Sequence, residues 1–174
     1  MTRTSIRTIY ALGIAIISTL AIAQTDNHSS AFIEITPERT QAYIAIGMQY
    51  MVVGGIADQC QNSLSKPPSF ASDTVKSWSE GNRKFVVAHS KYQEALFALI
   101  KSKKGTDGVA IENARLRQVM AKQANALISQ SFASRDPKLV CEKFEQRVVE
   151  KAFDIDPTFP FYEQAYELLK AVGE

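Results

Sequence analysis

The chain is poor in the residues that carry most protein chemistry. It has two histidines and two cysteines in 174 residues. No His-x-x-x-His, Cys-x-x-Cys, Gly-x-Ser-x-Gly, Gly-x-Gly-x-x-Gly or phosphate-loop pattern occurs in it. A transition-metal site needs several convergent ligands, and His28, His89 and two cysteines that are better spent on each other do not supply them. No metal and no cofactor is expected, and a catalytic role is not expected either. Alternating apolar runs bounded by hairpin turns are also missing, which removes the usual signal for strands. Charge of one sign is not in excess once the first residues are set aside: without Arg3 and Arg7 the 20 basic residues fall to 18, against 18 acidic ones. A neutral chain has no general attraction for nucleic acid or anionic lipid, so only a local patch could draw such a partner, and no nucleic-acid partner is expected.

What is present begins with an export pattern. Arg3 and Arg7 precede an apolar run from Ile9 to Leu20, and Ala21-Ile22-Ala23 supplies the small-x-small site that a signal peptidase accepts. The expectation is a signal peptide over 1–23, a flexible mature N-terminus over 24–35, and one helical domain over 36–174. The apolar run is shorter than the roughly 20 residues a membrane span needs, so no span is expected after cleavage. Export places the protein in the periplasm or outside the cell. There the two cysteines are expected to form one disulfide, Cys60 to Cys141. Closing a loop of about 80 residues is worth about 4 to 5 kcal/mol in the chain-entropy model.

Helical periodicity dominates the remainder. Thr36-Pro37-Glu38 reads as an N-cap, a first-turn proline and a carboxylate at the positive end of the dipole. The helix that follows is apolar on most of its circumference from Ala42 to Ala57, with Tyr43, Ile46, Tyr50, Val53, Ala57, Cys60 and Leu64 along one face. Such a helix must be surrounded, so it is assigned to the centre of a bundle. Gly47, Gly54 and Gly55 in it suggest close approach of a neighbour or a kink. After Pro67-Pro68, a second helix is expected from Ser72 or Asp73 to Lys103, with Gly81 weakening or bending its middle. Gly105 ends it, and a third runs from Thr106 or Asp107 to Ser131. Asp136-Pro137 opens a fourth that carries Cys141 on its apolar row, and a fifth covers about Thr158 to Val172. The fold class is therefore all-α: a single-domain bundle of about five helices around a central apolar first helix, with one inter-helix disulfide.

Three groups of residues are candidates for function. Trp78, Asn82 and His89 share one stripe of the second helix, and could line a pocket facing Tyr43, Gly47 or Tyr50. Phe159, Phe161 and Tyr162 form a C-terminal aromatic concentration, the best candidate for a protein-binding hot spot. Lys101, Lys103 and Lys104 are the densest basic cluster, at a helix end where cations suit the dipole. The carboxylate pairs Asp154/Asp156 and Glu142/Glu145 each have a structural role open to them as caps or solvated helix faces. The leading expectation is a non-enzymatic exported protein binding another macromolecule, such as an inhibitor, immunity-type protein or envelope assembly factor. The alternative is a small-ligand carrier or sensor built on the Trp78 stripe.

Overall fold

A computed structural model describes residues 33–173; the expected signal peptide and most of the N-terminal tail lie outside the described residues. The described chain is all-α, with helices α1 (Pro37–Ser63), α2 (Phe70–Gly81), α3 (Arg83–Phe132), α4 (Pro137–Val149) and α5 (Tyr162–Ala171), and no strand among the described residues.

The first helix starts as its sequence dictates. Thr36 is extended, its hydroxyl accepts the Arg39 N–H at 3.3 Å, and Pro37 occupies the first turn, where no intrahelical donor is lost. Packed against all four other helices, α1 buries eleven of its residues, among them Tyr43, Ile46, Val53, Ala57 and Cys60. It is the axis of the bundle. One detail departs from the face read from the sequence. Tyr50 is 47% exposed, whereas its neighbour Gln49 is 5% exposed. Gln49 turns inward because its amide donates to the Phe153 carbonyl (3.0 Å), while Tyr50 sets its ring edge-on to Trp78.

Directions follow from the contacts along α1. The Ala71 N–H donates to Gln61 Oε1, and a Cβ on Gly54 would lie 3.3 Å from Val75. Farther along, the Tyr92 and Thr40 hydroxyls are 2.7 Å apart. Thus α2 and the first arm of α3 (83–104) run antiparallel to α1. At Gly105 (φ 70°, ψ −174°) the helix is broken, and the second arm (106–132) returns parallel to α1. Met120 lies against Gly47, where a Cβ would be 2.5 Å from its sulfur, and Ile128 lies against Gly55. The glycines of α1 thus serve close helix approach. At the reversal itself a Cβ on Gly108 would collide with Lys104, so this position also has to stay bare.

Two expected boundaries are corrected. The long second helix begins at Phe70 and is interrupted at Asn82 (φ −106°, ψ 20°), which caps α2 and opens α3. Gly81 lowers the local helix propensity, and the Asn82 side chain is held by groups from outside the helix, as described below. The fifth helix starts at Tyr162 instead of Thr158. Asp156 Oδ1 accepts the Thr158 N–H (2.8 Å) and hydroxyl (2.6 Å) in a turn, and Phe159, which precedes Pro160, is disfavoured from helix.

Cys60 and Cys141 are bonded (S–S 2.06 Å), and both are fully buried. The bond ties α1 to α4. Asp136 caps α4 by accepting the Lys138 N–H at 3.0 Å, and Lys66 reaches Glu145 at 2.7 Å, closing the same end of the bundle. A disulfide is compatible with an oxidising, extracellular compartment.

Candidate functional site

Trp78 and Asn82 are brought together by the structure around the chain segment that links α4 to α5. The Trp78 Nε1–H donates to the Phe153 carbonyl at 2.9 Å, the same oxygen that receives Gln49. Asn82 Nδ2 donates to the Trp78 carbonyl (2.9 Å) and to Asp154 Oδ1 (3.0 Å), and its Oδ1 accepts the Ile155 N–H at 2.7 Å. Asn82 is 3% exposed. Its donor and acceptor ends are both engaged, and the Trp78 N–H is too. These polar groups form a collar that holds residues 153–155 against the middle of α1. Burial makes each bond matter, because a buried donor left without its acceptor forfeits its full desolvation cost.

His89 belongs to the same stripe, two turns beyond Asn82, and faces a different neighbour. Its ring stacks on Tyr43 at 4.3 Å with an interplanar angle of 15°. Its Nε2 is buried without a hydrogen-bond partner among the described residues, close to the bare backbone of Gly47. Burial pushes its pKa down to about 4, so the ring is neutral at neutral pH. Tyr43 also meets Tyr92, with ring centroids 5.8 Å apart. Burial raises the pKa of Tyr43, and it raises that of Tyr92 to about 12, the latter against the lowering effect of its hydrogen bond with Thr40. Neither phenol is an acid or base in the physiological range.

The aromatic concentration divides. Phe159 is buried, inside the core, and Phe161 and Tyr162 are half-buried against it. Pro160 and the Asp156 turn fold Phe159 inward, so it is not part of the surface. Tyr162 sets its ring edge-on to Phe85 and stacks on Tyr166 (6.0 Å, 15°). Tyr166 is 40% exposed, with the Lys170 ammonium 5.2 Å from its ring centroid. The surface aromatic pair is therefore Tyr162–Tyr166. Their spacing of four on a helix was the available signal.

Asp156 caps its turn as its sequence suggests, whereas Asp154 receives Asn82 and Glu145 pairs with Lys66. Among the described residues no group of three or more histidine, cysteine, aspartate or glutamate side chains is placed to hold a metal ion. Gln49 and Asp154 were missed as members of the collar. A lone amide in an apolar stretch was the readable sign for Gln49, whereas nothing local marked Asp154.

Comparison with protein-family models, with curated proteins and with solved structures finds no match for this chain.

Proposed function

We propose that this is an exported, non-enzymatic helical protein of the periplasm or extracellular space that binds a protein partner through the tyrosine edge of α5. Inhibitors, immunity-type proteins and envelope assembly factors are the kinds of activity that fit. The observation that carries the reading is the stacked pair Tyr162–Tyr166. It presents a flat aromatic surface on a rigid helix, with Phe161 beside it and a lysine over the outer ring. Tyrosine is favoured at interface hot spots because it offers a large area and a polar tip at small cost in side-chain entropy. By contrast, the polar groups of Trp78 and Asn82, which could serve chemistry, are engaged with the protein's own main chain.

The test is a photo-crosslinking residue placed at Tyr166, and as a control at exposed Val149 on α4, in a chain exposed to envelope extract. A single protein crosslinked from position 166 alone, and lost when Tyr162 becomes alanine with helicity retained, supports the reading. Equal capture from both positions, or turnover of a substrate by the purified protein, overturns it.

A second reading, a small-ligand carrier, is favoured only by the unpartnered Nε2 of His89 beside Gly47. An apolar ligand with one hydrogen-bond donor would suit that niche. Trp78 fluorescence unchanged across a compound library would count against it.

A further inference from the structure

The two arms of α3 form a hairpin that outruns the bundle. On the outgoing arm the last buried residue is Leu96, on the returning arm the first is Leu116, and nothing from 97 to 115 is buried. The axis α1 starts at Pro37, near the level where Tyr92 meets Thr36 and Thr40. At 1.5 Å per residue, the outgoing arm carries its turn roughly 15 to 18 Å past that point. All residues from 101 to 107 are exposed.

The tip is basic in a chain whose residues 24–174 are neutral only as a whole. Residues 97–115 hold four basic side chains (Lys101, Lys103, Lys104 and Arg115) against two acidic ones, Asp107 and Glu112. Glu112 is already paired with Arg115. A helix C-terminus favours a cation or two in its last turn. That preference does not account for Ile111, which stands 69% exposed on the returning arm. The partly buried Phe97 and Ile100 add apolar surface at the root of the tip.

The described chain leads into α1 through Ile33–Thr36, at the same end of the bundle as the tip, so no other helix covers the hairpin beyond that level.

We propose that the α3 hairpin tip docks on the surface of a bilayer rich in anionic phospholipid. The lysines meet lipid phosphates, and Ile111 enters the boundary between headgroups and acyl chains. Lysines on long stems at a convex tip suit a mobile field of phosphates. Recognition of a fixed carboxylate pattern on a protein favours the planar fork of arginine instead. No helix among the described residues is long and apolar enough to cross a membrane, so the contact is superficial.

The described residues hold a core of their own, and the chain 24–174, free of the apolar run that would itself bind lipid, is the protein to test. Cosedimentation is measured with vesicles of equal phosphatidylcholine and phosphatidylglycerol, and with phosphatidylcholine alone, at low and high salt. Binding is expected to the anionic vesicles only and to disappear at high salt. Each cation near such a surface contributes roughly five-fold in affinity, so K101E/K103E/K104E together weaken binding on the order of a hundred-fold or more. Ile111→Asn weakens it at unchanged salt dependence, whereas K138E/K143E on α4 leave it unchanged. No binding to anionic vesicles, or equal loss from the α4 variant, overturns the proposal. So does capture of an acidic protein by the tip while vesicles are ignored. The tyrosine edge of α5 is a different surface, so failure here leaves crosslinking from Tyr166 unaffected.

Discussion

The collar around Asn82 and the tip around Gly105 sit on or beside the same helix and follow opposite rules. At the collar an asparagine that is a poor helix former is buried, and every hydrogen-bonding group of its amide meets a partner, one on the helix it caps and two on the segment linking α4 to α5. At the tip nothing is buried over 97–115, and charge replaces packing. The comparison separates what holds the bundle together from what is free to meet something else. A polar residue in the first region is there because removing it strands a partner. One in the second can be changed with little cost to the fold.

Stability measurements can break or sharpen that contrast. The largest effect is expected from the covalent tie: replacing Cys60 and Cys141 by serine should lower unfolding free energy by about 4 kcal/mol, read from urea titration. A loss under about 1 kcal/mol would show that α4 is held by packing alone. Next comes Asn82→Ala, which deletes three hydrogen bonds and leaves the buried Ile155 N–H without its acceptor; about 3 kcal/mol is expected. A near-neutral result would mean that the collar is not what fixes residues 153–155.

His89 should come third, through pH. With a folded pKa near 4 against an ordinary value of 6.5, the unfolded chain takes up the proton first as pH falls. Stability is then full above about pH 7, declines from 6.5 toward 4, and levels off once the folded ring also protonates. The decline amounts to at most about 3 kcal/mol. His89→Gln should flatten the curve across that window, and an unchanged curve would assign the pH dependence to other groups. Smallest of all is the tip, where K101E/K103E/K104E should shift stability by no more than about 0.5 kcal/mol while changing vesicle binding. A destabilisation like that of Asn82→Ala would make the tip a structural element and erase the difference between the two regions.

Much of the fold was legible because it rests on local signals. Thr36-Pro37 and Asp136-Pro137 open helices where caps and prolines say they should, and the all-round apolar character of 42–57 marked α1 as the axis. Gly105 stopped one arm and started the next. The candidate site was legible only as a list of residues. Trp78, Asn82 and His89 share a stripe by spacing, but their partners lie on chain distant in sequence: Phe153 to Ile155 for the first two, Tyr43 for the third.

Periodicity, caps and the two cysteines therefore determined that this chain is a helical bundle around its first helix, because those signals act within a few residues or through one covalent bond. Only the tertiary structure decided that Asn82 breaks a helix to hold a loop, that Phe159 turns inward while Tyr166 stays out, and that the basic turn overhangs the bundle. Each of these depends on which distant groups arrive beside a residue, and no local pattern encodes that.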